Sequence, residues 1–237
     1  MKIAMWSGPR NLSTAMMYSF ASRADTSVVD EPFYASYLQA TGLEHPMREE
    51  VIASQSIDAE TVARSLLEPV STLHHYQKHM TQHMIEGVPR GWLKEVKNVF
   101  LIRHPARVLA SWSNKHEQLT LADIGFVQQL ELFEDVVASG QTPVVIDAAD
   151  IRSNPEAMLR ALCRAIEVEW DAAMLNWPVG PKPFDGIWAS HWYDAVHRST
   201  GFAGAEGALP ELNGELARLN EKALPIYERL AAHKLSA

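Results

Sequence analysis

The sequence predicts an α/β protein with three layers, α/β/α, in which helices cover both faces of a central, mostly parallel sheet. Three observations carry this. Residues 2–6 (KIAMW), 98–102 (NVFLI) and 142–146 (TPVVI) are short, nearly continuous apolar runs, the pattern of strands buried on both faces. Segments with helical spacing lie between them, so strand and helix alternate. The chain has 237 residues, 47 % apolar and 21 % charged, which suits one domain over residues 1–237 with its own core.

Taken in order, the run 2–6 ends at Ser7-Gly8-Pro9, a turn signal. Leu12, Met16, Met17, Phe20 and Ala21 then recur at helical spacing and predict a helix over 12–23, with Asn11 or Ser13 as its cap. Residues 27–30 (SVVD) form a short strand that Pro32 ends. Residues 34–57 have weak periodicity and are expected to cover the site. A helix over 58–67 starts at Asp58, and 70–76 reads as a strand. Residues 77–86 fit either element. Pro105 opens a helix after the strand 98–102. Further helices are expected at 121–138 and 154–166. Residues 177–207, rich in Pro, Gly, Trp and His, read as a long functional loop. Residues 210–233 read as a final amphipathic helix interrupted near Pro225.

Net charge is −8 and the isoelectric point about 5.7, so a generally basic surface for nucleic acid is absent. Any anion site must therefore come from locally placed groups. A single cysteine, Cys163, excludes an intrachain disulfide framework and thiolate metal clusters, and points to a reducing, cytoplasmic setting. The opening MKIAMWSGPR has one early lysine and no long apolar run, so no signal peptide is expected. No stretch approaches the roughly 20 apolar residues of a membrane span. The expected partner is a small molecule, with no nucleic acid and no membrane; a homodimer stays open.

In parallel sheets ligands bind beyond the carboxyl ends of the strands. Three constellations fall there. In WSGPRNLSTAMM, Ser7, Gly8 and Pro9 make a tight turn, and Asn11 and Leu12 lead into a helix whose first N–H groups are unpaired. These groups and the helix dipole attract an anion. Arg10 adds a bidentate charge, and Ser13 and Thr14 add hydroxyls. The same residues also fit a plain strand–turn–helix. The loop lacks the G-x-x-x-x-G-K-[ST] pattern and its lysine. In FLIRHPARVLASWSNK, Arg103 stands at a strand end and Ser111 follows eight residues later, two turns into the next helix, so both can meet one phosphate. In VVDEPF, Glu31 stands at a strand end as a candidate general base, with Asp30 finishing the strand. Equally, this acid fits a cap or a salt bridge. Arginines and a helix start around Glu31 are expected to depress its pKa.

His75, His79 and His83 would share a face if their segment were helical, but the strand reading of 70–76 breaks that register and HExxH is absent, so no metal site is assigned. Lys78 is the more useful residue there. In the segment SHWYDAVHRSTGF, Trp192 can stack on a base, and Arg198, Ser199 and Thr200 can bind a phosphate.

Together these segments resemble the sulfotransferases that use 3′-phosphoadenylyl sulfate (PAPS), enzymes with a P-loop NTPase-like fold. SGPRNLSTAMM resembles that family's 5′-phosphosulfate loop, with Arg10 in the basic position and Ser13-Thr14 in the paired hydroxyl position. IRHPARVLASW resembles the 3′-phosphate motif, matched by Arg103 and Ser111. Glu31 matches the glutamate base of the protein-tyrosine and heparan N-sulfating branches. Lys78 is a candidate for the lysine after the third strand, and Arg198-Ser-Thr-Gly loosely resembles a late cofactor loop. Leu12 replaces the loop glycine, and Asn11 a small hydroxyl residue. The resemblance implies metal-free in-line transfer from PAPS, leaving adenosine 3′,5′-bisphosphate. The alternatives are a P-loop kinase or nucleotide hydrolase, and a nucleotide-binding module without catalysis.

Overall fold

The computed structural model describes residues 1–112 and 119–237. Its elements begin with strand β1 (Lys2–Ser7), helix α1 (Ser13–Ala21), β2 (Thr26–Asp30), α2 (Tyr34–Thr41), α3 (Arg48–Ser54), α4 (Ala59–Ser65) and β3 (His74–Met80). There follow β4 (Lys97–Ile102), α5 (Pro105–Trp112), α6 (Phe126–Ala138), β5 (Val144–Asp147), α7 (Ala148–Ser153) and α8 (Pro155–Ala165). The chain ends with α9 (Ala189–Trp192), α10 (Asp194–His197) and the long α11 (Gly214–Ala231).

The strands form one five-stranded sheet in the order β2-β3-β1-β4-β5, and every pairing is parallel. The reason lies in the strand sequences. In β1, Ile3 and Met5 join the core on one face, while Ala4 and Trp6 join the core on the other. In β4, Val99 and Leu101 face the first core and Phe100 and Ile102 the second. A strand buried on both faces needs cover on both. Met16, Met17 and Phe20 of α1 and Leu159 and Leu162 of α8 supply one side. Leu132, Phe133 and Val136 of α6 and Leu230 of α11 supply the other.

Local chemistry sets several boundaries. Asp58 caps α4 by accepting from the Thr61 N–H, and Asn154 caps α8 by accepting from Ala157, with Pro155 in the first turn. Gly42 ends α2 at φ 67°.

The structure corrects some expected boundaries. The third strand is His74–Met80, not 70–76, so the ambiguous residues 77–80 are strand and His83 falls in a following short turn. His75 and His79 therefore do not share a helix face with His83. Residues 34–57 hold two helices, and Tyr34 and His45 from this region do line the main cavity. The segment 177–207 carries two short helices rather than one open loop. The fifth strand starts and ends later than 142–146, and the helix expected from 121 begins at Phe126. α11 runs through Pro225 without a break. Residues 113–115 of the second motif lie outside the described residues.

Candidate active site

The chain leaves β1 at fully buried Ser7 and turns at Gly8, where an added Cβ would stand 2.4 Å from the Ile124 carbonyl oxygen. Only glycine lets backbones approach so closely. Buried Asn11 donates from Nδ2 to the Leu101 carbonyl at 3.3 Å, which ties the loop to β4. Gln129 donates to the carbonyls of Trp6 and Leu101, at 3.2 and 2.9 Å, bracing the same junction from behind. Arg10 and Leu12 both take left-handed backbone conformations, at φ 61° and 69°. Leu12, not Asn11 or Ser13, is the residue at the α1 cap, and no side chain caps this helix. The first N–H groups of α1 thus have no side-chain acceptor, and the helix dipole adds to their pull on an anion.

The second motif meets the first directly. Arg10 Nε donates to Ser111 Oγ at 3.0 Å, and Arg103 Nη1 donates to the Arg10 carbonyl at 2.6 Å. Burial, then the Arg103 charge, lowers the pKa of Arg10 from its ordinary value. A guanidinium stays charged under any such shift. Arg103 also pairs through Nη2 with Glu206, a residue that no sequence signal singles out.

A second grouping stands at the ends of β2 and β3. Lys78 is 1 % exposed, and its Nζ donates to Asp30 Oδ1 at 2.8 Å, to the Tyr193 hydroxyl at 2.7 Å and to Glu31 Oε1. Tyr193 in turn donates to Asp30 Oδ2 at 2.7 Å, and the Gly186 N–H donates to the same oxygen at 3.1 Å. Adjacent pairing of β2 with β3, with Asp30 opposite Lys78, creates this cluster. Burial pulls the Lys78 pKa down, but Asp30 and Glu31 outweigh it and hold the ammonium above its ordinary value. Burial pushes Glu31 up by more than Lys78 pulls it down, and Asp30 adds to the rise. The expected depression of Glu31 by arginines is therefore reversed: its close cation is Lys78, and burial dominates.

His83 lies stacked against Tyr34 and Tyr37, with ring centroids 4.7 and 4.8 Å away, and its Nε2 is 4.0 Å from Glu31 Oε2. Burial holds its pKa well below the ordinary value, which favours the neutral ring. His79 stacks on Trp6 at 4.4 Å and is pushed down to about 3, again chiefly by burial.

Both groupings line one cavity of about 380 Å³. Pro9, Arg10, Asn11, Leu12, Ser13 and Thr14 border it, as do Arg103, Ser111, Glu31 and Lys78. Tyr34, Met80, Trp188 and Trp192 add apolar walls. Ser7 and Gly8 sit behind the loop and do not line it; Gly8 serves packing. Arg198 and Thr200 depart from the expected phosphate loop: they line a separate concavity with Asn154 and Glu156. Ser199 borders both spaces, and its hydroxyl accepts from Trp177 Nε1 at 3.1 Å. Arg152 and Ala203 border the main cavity in their place. Sequence reasoning missed Tyr193, Arg152 and the role of Asp30. Only Asp30 left a signal, as an acid that closes the short strand Thr26–Asp30.

The sequence profile of the sulfotransferase domain matches residues 1–234. The chain belongs to the sulfotransferase family. The chain is 39 % identical over 232 residues to the branched-chain-amino-acid aminotransferase-like protein 1 of Arabidopsis thaliana. It is 36 % identical over 235 residues to protein 2 of the same name and organism. Each match covers 98 % of this chain but only 42 % and 41 % of the plant proteins, so the chain spans about two-fifths of their length. The fold is similar to the sulfotransferase domain of the Synechococcus PCC 7002 olefin synthase, with TM-score 0.52, 18 % identity, and 100 % and 96 % of the two chains covered. It is also similar to the sulfotransferase domain of the curacin biosynthetic pathway, with TM-score 0.55, 13 % identity, and 93 % and 96 % covered. A third likeness is to a sulfotransferase from Alicyclobacillus acidocaldarius, with TM-score 0.56, 13 % identity, and 99 % and 96 % covered. At these identities the likeness speaks for the fold. Membership of this family supports sulfotransferase activity. Among the described residues no helix is long and apolar enough to cross a membrane.

Proposed function

We propose that this sulfotransferase moves a sulfuryl group from PAPS to a hydroxyl or amine of a small, partly apolar acceptor by in-line transfer. One observation carries the reading: a single cavity is lined both by an anion grip (Arg10, Arg103, Ser111 and the uncapped start of α1) and by a buried acid–lysine pair, Glu31 and Lys78. The donor set suits a doubly phosphorylated nucleotide, since Arg103 Nε is buried without a hydrogen-bond partner and two arginines meet at the loop.

When bound, the donor supplies the sulfuryl group and departs as adenosine 3′,5′-bisphosphate. Glu31 takes the proton from the acceptor O–H or N–H, and its raised pKa brings it nearer the working pH of a general base. Lys78 offsets negative charge developing at the transferring group, already fixed by Asp30 and Tyr193. Arg10, Ser13, Thr14 and the first amides of α1 hold the phosphosulfate end, and Arg103 and Ser111 hold the 3′-phosphate. Trp192 offers a stacking face for the base, and Tyr34 and Trp188 offer apolar surface to the acceptor.

Calorimetry with adenosine 3′,5′-bisphosphate tests this. The expected result is binding that does not depend on magnesium and is lost in Arg103→Ala. A preference for magnesium–ATP, or no nucleotide binding at all, refutes it.

A further inference from the structure

Arg103 belongs to a larger cluster that the transfer reaction does not require. Glu206 Oε1 accepts from Arg103 Nη2 and, at 2.8 Å, from Arg152 Nη1, while Arg107 Nε stands 2.9 Å from Glu206 Oε2. The Glu206 side chain is only 3 % exposed. The three guanidiniums come from separate places: the end of β4, the first turn of α5, and α7. Two of them also hold the backbone beside Glu206, for Arg107 Nη2 donates to the Gly207 carbonyl and Arg152 Nε to the Gly204 carbonyl at 2.9 Å.

The segment carrying Glu206 is otherwise poorly anchored. Residues 203–205 and 207–209 (AGA and GAL) are exposed and irregular, and Glu206 is the one residue of 203–209 that is not exposed. Three positive charges meet a single negative one, which leaves a formal excess of two. A phosphate monoester, with close to two negative charges and three acceptor oxygens, matches that excess better than a carboxylate. The main cavity reaches this cluster, since Arg103 and Arg152 line it while Glu206 and Arg107 do not.

We propose that Arg103, Arg107 and Arg152 form a phosphate pocket that Glu206 fills as an internal anion, and that a ligand phosphate binds by displacing Glu206 and releasing the strap 203–209. The inference rests on the sulfuryl-donor reading for the identity of the ligand, though not for its phosphate. Glu206 thereby sets the affinity of the site: apparent affinity falls by the fraction of molecules in which the strap is open. A strap closed about 90 % of the time weakens binding about tenfold.

Titration calorimetry of the wild type, Glu206→Gln and Glu206→Ala, each with adenosine 3′,5′-bisphosphate and with inorganic phosphate, tests this. Both ligands are expected to bind about tenfold more tightly to the variants. Unchanged or weaker phosphate binding overturns the proposal and makes Glu206 a brace for the arginines, even if nucleotide binding survives. Tighter phosphate binding in the variants without nucleotide binding to any of the three proteins supports the pocket and refutes the donor reading instead. Hydrogen exchange on the wild type needs no variant to fold. Amides of 203–209 are expected to exchange faster with saturating phosphate, and slower or unchanged exchange overturns the displacement.

Discussion

Replacing Lys78 by methionine isolates the buried cluster. The ammonium stands 2.8 Å from Asp30 Oδ1, with both side chains 1 % exposed. At that distance a unit-charge pair is worth about 6 kcal/mol at an effective dielectric of about 20. Much of this offsets the cost of taking both ions out of water. The loss expected on deleting one partner is about 3–5 kcal/mol, because two carboxylates are then left buried without their cation. The pH dependence has a definite sign. Glu31 titrates higher in the folded protein than in the unfolded chain, so the folded state binds the extra proton between those two values. Stability from this group is present at low pH and is lost as the pH rises through that window. Without Lys78 only the weaker Tyr193 hydrogen bond pulls Glu31 back down, and the window widens. The deficit of Lys78→Met is therefore largest at neutral pH and above, and shrinks as Glu31 protonates. Urea unfolding followed by tryptophan fluorescence at about pH 5 and about pH 8 measures it, and adding Asp30→Asn and Glu31→Gln to the variant should recover most of the loss. A deficit that is absent, or that grows on acidification, refutes the reasoning.

Three further outcomes are expected. Glu31→Gln should keep nucleotide binding by calorimetry and lose at least about 10²-fold in transfer rate, while the acidic limb of the wild-type pH–rate profile should lie above the ordinary glutamate value. Gly8→Ala forces a Cβ against the Ile124 carbonyl and should cost about 1–3 kcal/mol in denaturation midpoint, with weaker nucleotide binding as the loop shifts. Leu12→Val should cost about 1–2 kcal/mol, because a β-branched residue tolerates φ 69° worst, whereas Leu12→Gly should change stability by less than about 1 kcal/mol, its freedom at positive φ offsetting lost burial.

Much of the fold and the turn at Ser7–Pro9 was legible because the signals were local. KIAMW and NVFLI are apolar throughout, and the turn Ser7-Gly8-Pro9 falls between one such run and a helical pattern. β3 was misplaced by four residues because the buried positions at its centre, 77–79, are polar. Gln77 is satisfied by the Leu66 carbonyl at 2.8 Å, Lys78 by two acids, and His79 by stacking on Trp6. None of those partners is near in sequence, so the apolar stretch just before looked more like a strand. The same holds for Glu206, whose arginines stand 54 to 103 residues away. Arg198 misled in the opposite sense: a basic residue among small ones reads as a phosphate loop, yet its segment turns toward Asn154 and Glu156. Leu12 was noticed as a missing glycine, and the structure gives the physical content, since that residue does take the left-handed conformation glycine favours.

The strand order has a consequence for what the site accommodates. Glu31 and Lys78 come from the neighbours β2 and β3, and the Arg10 loop and Arg103 from the neighbours β1 and β4. Adjacent strands lie about 4.8 Å apart, so β2 and β4 are separated by about 14 Å along the sheet edge. The sheet acts as a ruler. It fixes the spacing between the proton-accepting side and the phosphate-gripping side independently of the loops above. The helices over 34–57 and 189–197 can then change the shape of the acceptor wall while that spacing stays the same.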